Sequence, residues 1–436
     1  MTEPTPSRVD RRRFLLGAGA LGLGVGLGGC RPGSDPARAA LGAAAVPATS
    51  LPAPSAPVAA ADPSRRVLVL VQLLGGNDAL NTVVPAAGRY HDARPGLGLD
   101  DTLVALAGRT DLGLHPSLAP LADRWAAGQL GVVAGLGLPE QSRSHFTAMD
   151  TWWSARPGEP PRTGWLGRWL DATADEPGAA DAEMRAIALG GGAPALGAEG
   201  EPAVAVGQPA GFALGAGRVD IRPDTTDAYR ATALGPTRDP RLAAARAAVP
   251  HALDAAELLA SLASPPSDDD AEQPGPGGDA ARLLDLAAGI VAGDLGTRVI
   301  SVGVGGFDTH AAQADTHAAL LADLATGLEG FLARVAGAGR LDDVLVVTTS
   351  EFGRRVAENG SAGTDHGTGG LSLVLGTGLR PRQVVGGYDL DRLVDGDLPL
   401  TVDTRSLYAT ALGWLGGPVD GVIEGPIDDL GLLASA

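Results

Sequence analysis

Short apolar runs alternate along this chain with longer segments of helical periodicity. Runs of strand length that are apolar at nearly every position are typical of strands buried on both faces of a parallel sheet. Six segments fit this description: residues 67–71, 130–134, 186–189, 298–304, 344–347 and 371–375.

Helical periodicity is clearest in the C-terminal third. Helices are predicted over 282–295 and 408–415, and a long amphipathic helix follows residue 310. Its apolar stripe has spacings of three and four residues: Leu321, Leu324, Leu328, Phe331 and Val335. Alternation of buried strands with helices predicts an α/β fold, with a mostly parallel sheet flanked by helices on both faces.

The first thirty residues have the pattern of an export signal. Three arginines at 11–13 precede Phe14 and an apolar, glycine-rich run over 15–27. An arginine pair before such a run resembles the twin-arginine signal, which predicts the twin-arginine translocase as a partner. The run is shorter than the roughly 20 residues that a membrane span needs. Residues 1–30 are therefore predicted to be a signal peptide.

Cys30 follows the apolar run after two glycines and is the only cysteine in the chain. Its position resembles a bacterial lipobox, in which the cysteine becomes the lipidated N-terminus and attaches the protein to a membrane. The alternative is a chance cysteine, with cleavage further on near the alanines at 43–45. Residues 31–64 are rich in Ala, Pro and Ser and predict a linker. The protein is thus expected at the outer face of the cytoplasmic membrane, in the periplasm or outside the cell.

The remaining segment, 65–436, is predicted to be one α/β domain. The composition of the chain excludes some classes of function for it. The 436 residues carry 33 Lys+Arg against 51 Asp+Glu, a net charge of −18. This acidic balance argues against a nucleic-acid partner. A single cysteine excludes an internal disulfide framework and a thiolate zinc site. The acidic segment 264–279 is interpreted as a flexible, solvated loop and not as a metal site.

Acidic, imidazole and guanidinium side chains follow several predicted strands. They are Asp78, then Asp308 and His310, then Glu351 and Arg354, and finally Asp365 and His366 in a glycine-rich loop. Ligands of open α/β sheets bind beyond the carboxyl ends of the strands, so these side chains are expected at one edge. Such oxygen and nitrogen donors can hold one or two divalent ions, with Zn, Mn, Ca and Mg as the alternatives.

Each candidate also has a structural alternative. Asp78 and Asp308 are placed to cap the helices that follow them. Arg354 is a candidate to neutralise an anion or to pair with an acid. Ser144 beside His145 suggests a nucleophile and its base, although adjacent residues rarely present their side chains to each other.

Several of these segments occur together, in order, in a known family. They are 75–81 (Gly-Gly-Asn-Asp-Ala-Leu-Asn), 144–146 (Ser-His-Phe), 306–310 (Gly-Phe-Asp-Thr-His), 349–354 (Thr-Ser-Glu-Phe-Gly-Arg) and 364–367 (Thr-Asp-His-Gly). With the twin-arginine leader, this ordered set resembles the exported bacterial family called domain of unknown function 1501, over essentially the whole chain from residue 66. That family is similar to the alkaline phosphatase and sulfatase superfamily, whose members are α/β sandwiches with a two-metal site.

The resemblance implies roles for particular residues. Asp78 would match the metal-binding Asp after the first strand, Asp308 and His310 the Asp and His of the other metal, and His366 the late histidine ligand. The superfamily usually has an Asp-His pair after the late strand, whereas this chain has Glu351 and Phe352. One metal site is therefore expected to have lost a ligand.

Three function hypotheses follow from these motifs. The leading hypothesis is a metal-dependent hydrolase of phosphate or sulfate esters, with metal on Asp78, Asp308, His310, Glu351, Asp365 and His366. The second is a non-catalytic surface protein that binds a glycan or a protein and has lost part of the metal site. The third is a serine hydrolase that uses Ser144 and His145, although no Gly-x-Ser-x-Gly elbow surrounds the serine.

Overall fold

The structure is a computed structural model. It describes residues 62–206, with gaps at 87, 101, 160–161, 177–183, 192 and 201–202, then isolated positions between 228 and 246, and residues 279–434. The predicted signal peptide 1–30 with Cys30, the linker up to residue 61 and the acidic segment up to residue 278 lie outside the described residues. No helix in the described part of the chain is long and apolar enough to span a membrane.

Strands account for the apolar runs of the sequence. In chain order they are β1 (Val67–Leu73), β2 (Val83–Pro85), β3 (Val104–Ala105), β4 (Leu112–Leu114), β5 (Leu130–Gly137), β6 (Ala186–Leu189), β7 (Val204–Val206), β8 (Val299–Val304), β9 (Val344–Thr349), β10 (Gly370–Leu375), β11 (Val384–Gly386) and β12 (Val402–Asp403).

Helices connect these strands. In chain order the α-helices are α1 (Ala79–Thr82), α2 (Gly88–Ala93), α3 (Ala122–Ala126), α4 (His145–Ser154), α5 (Trp165–Ala172), α6 (Ala280–Ala292), α7 (Gln313–Gly337) and α8 (Thr404–Leu415).

Nine of the described strands form one sheet in the order β11-β5-β10-β9-β1-β8-β6-β7, with β12 paired to β5. The central strands β9, β1, β8, β6 and β7 are mutually parallel. Strand β10 runs antiparallel to both β5 and β9. The other three strands, β2, β4 and β3, form a small antiparallel sheet. The prediction of a mostly parallel α/β sheet is therefore confirmed.

Alternate residues of β1 show how the sheet is covered on both sides. Val67, Val69 and Val71 are buried in a cluster with side chains of α6 and α7. Leu68 and Leu70 are buried in a second cluster with side chains of α4, α5 and α8. Because both faces are covered, every position of this strand is buried, which explains the continuous apolar run.

All six predicted strands and the three predicted helices are present; β6 has the predicted bounds, and the other elements differ at one or both ends. Strand β1 extends past the predicted end because the polar side chain of Gln72 is satisfied inside the protein. Its amide donates to Ser301 Oγ at 2.7 Å, and its oxygen accepts from the Trp153 indole at 2.5 Å. Helix α6 starts at Ala280 because the Asp323 carboxylate accepts its first backbone N–H groups.

Candidate metal centre

The ends of β1, β8 and β9 lie next to one another because these strands are parallel neighbours. Gly75, just past β1, has a positive φ of 120°, and a Cβ there would lie 2.3 Å from the backbone nitrogen of Asp308. A Cβ at Gly76 would lie 2.3 Å from the Phe352 ring. Glycine is therefore required at both positions, and its absence of a side chain brings the three strand ends together.

Asp308 is the centre of the cluster that forms at this edge. Its Oδ1 accepts a hydrogen bond from Arg354 Nη2 at 2.8 Å, and it lies 3.1 Å from the Nε2 atoms of both His310 and His366. Partial burial raises the pKa of Asp308, but the hydrogen bond and the positive charge of Arg354 oppose this effect, and the pKa is lowered to about 2. The carboxylate is therefore ionised and available as an anionic ligand.

In each of the three histidines around Asp308, the Nδ1 atom lies within hydrogen-bond distance of an oxygen acceptor. His145 Nδ1 lies 2.8 Å from Glu351 Oε1, His310 Nδ1 lies 3.2 Å from Asp365 Oδ1, and His366 Nδ1 lies 2.8 Å from the carbonyl oxygen of Arg143. Each partner is a hydrogen-bond acceptor, which favours the tautomer with the ring proton on Nδ1 in all three rings. In that tautomer the Nε2 atoms carry lone pairs.

These Nε2 atoms converge on the two oxygens of Asp308. His310 Nε2 and His366 Nε2 are 2.9 Å apart beside Oδ1. His145 Nε2 lies 3.4 Å from Oδ2, is shielded from solvent and has no hydrogen-bond partner. Ligand atoms of His145, Asp308 and His366 all lie within 4.8 Å of one another.

This convergence places the Nε2 atoms of the three histidines next to the oxygens of Asp308, and all of these atoms are hydrogen-bond acceptors in this tautomer. With the ring protons on Nδ1, the Nε2 lone pairs of these histidines face the carboxylate of Asp308, and the repulsion between these acceptor atoms is relieved only by a cation. The cation is either a proton on one of the rings or a metal ion between them. The donor set and the unpartnered Nε2 of His145 both fit a divalent metal ion.

Glu351 lies behind His145. Its side chain is buried, and its Oε1 accepts from both the His145 ring and the backbone N–H of Gly75. Asp365 has the same relation to His310 and also accepts from the Asn359 side chain at 3.1 Å. Both carboxylates were predicted as metal ligands, and the structure places them against the Nδ1 atoms of His145 and His310, whose rings they orient.

Phe352 packs against two of these histidines. Its ring centroid lies 4.9 Å from that of His145 and 4.5 Å from that of His366. Phe352 is fully buried. It therefore holds the two histidine rings by packing, which is a role that the sequence pattern alone did not indicate.

Arg354 is placed differently from the anion-binding role considered in the sequence. Its guanidinium is fully buried and donates to four backbone carbonyl groups as well as to Asp308. The carbonyl oxygens belong to Gly75, Gly76, Phe307 and Thr364. Arg354 therefore connects the loops that follow β1 and β8 with the loop that carries His366, and each of its three guanidinium nitrogens already donates a hydrogen bond.

Asp78 is not brought into this cluster. It is 1% exposed, and its Oδ2 accepts from Arg94 Nη1 at 2.6 Å and from Gln313 Nε2 at 2.5 Å. Its Oδ1 caps α1 at the backbone N–H of Asn81. Burial raises the pKa of Asp78, but the charge and hydrogen bond of Arg94 outweigh it and lower the pKa. The guanidinium thus supplies the positive charge that a metal ion was expected to supply at Asp78.

Ser144 lies at the N-terminal end of α4, one residue before His145. It is exposed, and its hydroxyl does not cap the helix. One ring nitrogen of His145 is bonded to Glu351, and the other faces Asp308. The structure therefore does not pair Ser144 with His145 as nucleophile and base.

Comparison with known proteins identifies the family. The model of the family described as "Protein of unknown function (DUF1501)" matches residues 101–426. This range covers more than half of the chain, so the chain belongs to that family, as the ordered motifs predicted. Among curated proteins, no relative matches the chain.

Solved structures of the alkaline phosphatase and sulfatase superfamily are similar at low identity. Lipoteichoic acid synthase LtaP from Listeria monocytogenes is 10% identical, with 74% of this chain and 68% of that chain covered and a TM-score of 0.32. Phosphonate monoester hydrolase from Silicibacter pomeroyi is 12% identical, with coverages of 83% and 76% and a TM-score of 0.33. Alkaline phosphatase from the Antarctic bacterium TAB5 is 10% identical, with coverages of 73% and 94% and a TM-score of 0.29.

Proposed function

We propose that this protein is a metal-dependent hydrolase whose metal ion is held by His145, Asp308, His310 and His366. The observation that carries the proposal is the convergence of three Nε2 atoms on one ionised carboxylate, each ring being fixed by an acceptor at Nδ1. Carboxylate and carbonyl acceptors behind ligand histidines are the usual surroundings of protein metal sites.

The donor set narrows the choice of metal. Imidazole nitrogens suit Zn²⁺ and other transition metals, whereas Ca²⁺ and Mg²⁺ prefer sites built from oxygen. Three imidazoles and one carboxylate therefore favour Zn²⁺, with Mn²⁺ as the next candidate, over Ca²⁺ and Mg²⁺. One ion per chain is expected, because Arg94 neutralises the carboxylate that would have helped to hold a second.

The charge of the ligand set favours an anionic substrate. Three neutral imidazoles and one carboxylate carry a charge of about −1, so a divalent ion leaves the site with about +1. When bound, the ion would supply Lewis-acid polarisation of an ester oxygen and activation of a water molecule. Together with the resemblance to phosphatases and sulfatases, this charge supports phosphate or sulfate monoesters as the substrate class.

The proposal includes export of the protein. The arginines at 11–13 and the apolar run that follows support recognition by the twin-arginine translocase, and Cys30 supports attachment to the membrane by a lipid. Replacing Arg11 and Arg12 by lysine should keep the precursor in the cytoplasm, and Cys30→Ala should release the exported protein from the membrane fraction. A protein whose location is unaffected by these changes would contradict the export proposal.

The activity is tested with the purified full-length protein, loaded separately with Zn²⁺, Mn²⁺, Ca²⁺ or Mg²⁺, on a panel of aryl phosphate and aryl sulfate esters. Hydrolysis by the Zn²⁺ or Mn²⁺ form is expected, with loss of activity in His366→Gln and retention in Ser144→Ala. Loss of activity in a Ser144→Ala protein that still binds metal would favour the serine nucleophile instead.

A second candidate function is favoured by the ion pair between Asp78 and Arg94, which removes one expected metal ligand. In that case the protein binds a glycan or another protein at the cell surface and catalyses no reaction. A metal-loaded wild type that hydrolyses none of the esters and binds a glycan on an array would support this candidate.

A further inference from the structure

A carboxylate outside the candidate metal centre is connected to it by two short steps. Asp397 is 1% exposed and forms an ion pair with Arg143 through its Oδ2 atom. The carbonyl oxygen of Arg143 is the acceptor for Nδ1 of His366, at 2.8 Å. The same arginine precedes His145 by two residues, so its position affects two of the metal ligands.

The segment that carries Asp397 is itself fastened to the loop of His366. Val394 and Asp397 exchange two backbone hydrogen bonds of 2.9 Å, which closes a tight turn. Thr368 Oγ1 donates to the carbonyl of Leu398 at 2.7 Å. Asp397 Oδ1 also lies 3.5 Å from Arg355 Nε, and the backbone N–H of Arg355 donates to the Asp365 carbonyl. Asp397 is therefore a fixed point from which Arg143 is held.

Arg143, in contrast, lies in an irregular segment. Residues 138–144 connect the end of β5 to the start of α4 without regular secondary structure, and the Arg143 side chain is 40% exposed. Irregular segments are more mobile than helices and strands, so side-chain contacts help to fix the position of their carbonyl groups. Gln141 anchors the middle of this segment by donating to the Glu351 carbonyl, and the ion pair with the buried Asp397 anchors it at Arg143.

We propose that Asp397 is a positioning residue that fixes His366 in its metal-binding tautomer by holding Arg143. With the Arg143 carbonyl in place, the His366 proton stays on Nδ1 and Nε2 keeps a lone pair toward Asp308. Without the anchor, the carbonyl moves away and the proton is free to shift to Nε2, which removes a metal ligand. The consequence for metal affinity rests on the proposed function, whereas the consequence for the tautomer does not.

The test uses full-length apoprotein labelled with ¹⁵N at histidine, at about pH 8.5, where free imidazoles are neutral. The His366 signals are assigned by their loss in His366→Gln. Long-range ¹H–¹⁵N spectra should show the Nδ1–H tautomer in the wild type and an increased fraction of the Nε2–H tautomer in both Asp397→Ala and Arg143→Ala. Asp397→Glu, which keeps the carboxylate, should restore part of the wild-type signal.

Arg334→Ala is the matched control, because Arg334 pairs with Asp285 and its side chain is 34% exposed, close to the value for Arg143. This variant should leave the His366 tautomer unchanged. Asp397→Ala and Arg143→Ala should bind zinc on the order of tenfold more weakly than the wild type does. A loss of this size is typical when the hydrogen-bond partner of a metal ligand is disturbed.

A lower melting temperature with an unchanged His366 tautomer, in both test variants, would overturn the inference and leave Asp397 with a structural role only. If the wild type binds no zinc but Asp397→Ala and Arg143→Ala still shift the His366 tautomer, the proposed function is contradicted and this inference stands.

Discussion

Nε2 of His366 lies 3.1 Å from Oδ1 of Asp308, although 58 positions separate the two residues in the sequence. Asp308 follows β8, whereas His366 belongs to the irregular loop between β9 and β10. Arg354 joins them, because it donates both to Asp308 and to the carbonyl of Thr364, two residues before His366. The hydrogen bonds of Arg354 therefore hold His366 close to Asp308.

The first prediction concerns the carboxylate behind His145. Glu351→Gln keeps an oxygen that accepts from the backbone N–H of Gly75 but removes the charge that favours a proton on His145 Nδ1. Zinc affinity, measured by competition with a chromogenic chelator, should fall by about 10- to 100-fold with little change in stability.

Glu358→Gln is its control. Glu358 accepts backbone hydrogen bonds from Gly96 and Leu97 and does not contact the metal ligands. This variant should bind zinc as the wild type does. Equal affinities for the wild type and Glu351→Gln would mean that Glu351 does not act through His145.

The second prediction concerns the buried pair of Asp78 and Arg94. Arg94→Ala leaves a buried, unpaired carboxylate and should reduce the free energy of unfolding by about 3–5 kcal/mol in urea titrations. Asp78→Asn should keep the metal stoichiometry of the wild type, because Asp78 is bonded to Arg94 and Gln313. A clear loss of bound metal in Asp78→Asn would show that Asp78 is a ligand after all.

Comparison of Asp78 with Asp308 shows what the sequence determines. Both acids follow a buried strand, and both were predicted at one edge of the sheet. Their surroundings differ because of Arg94, which lies 16 positions after Asp78 and reaches it only through the fold of α2. No local pattern distinguishes an arginine that pairs with a buried acid from one on the surface.

Six strands of the large sheet were predictable because burial on both faces leaves a continuous apolar run, whereas the short strands β2, β3, β4, β7, β11 and β12 were not predicted. Helix α4 was not predicted, and its position decides that His145 faces Asp308 while Ser144 does not pair with it. The roles of Glu351 and Asp365 also depend on tertiary contacts, since a carboxylate that binds a metal and one that orients a histidine look alike in a sequence.

The third prediction concerns pH. His317 is buried with Nε2 2.9 Å from Asn77 Oδ1, and burial lowers its pKa from 6.5 to about 4. Between these values the unfolded chain binds a proton that the folded protein does not. Stability from this group is therefore complete above about pH 6.5, decreases on acidification and is lost as the pH falls through about 4.

His317→Gln keeps a donor for Asn77 but does not titrate. Urea unfolding at a series of pH values should show a decrease between about pH 6.5 and 4 that is larger in the wild type, by up to about 3 kcal/mol. Because the second buried histidine, His115, is present in both proteins, the difference isolates His317. Parallel pH curves for the two proteins would contradict the prediction.

The fourth prediction separates structural and anion-binding roles of Arg354. Lysine keeps the charge but cannot satisfy the carbonyl groups that the guanidinium reaches. Arg354→Lys should therefore lower the free energy of unfolding by about 2–4 kcal/mol, since buried acceptors lose their donors. An unchanged stability with a raised KM for anionic esters would assign Arg354 to substrate binding instead.

The most direct measurement of the central claim is the metal content of the full-length protein after equilibration with zinc and gel filtration, determined by mass spectrometry of the elements. About one zinc ion per chain is expected in the wild type, with little or none in Asp308→Asn and His366→Gln and full occupancy in Asp78→Asn. A wild type that emerges without metal, or an occupancy that Asp308→Asn and His366→Gln leave unchanged, would contradict the assignment of these side chains as a metal site.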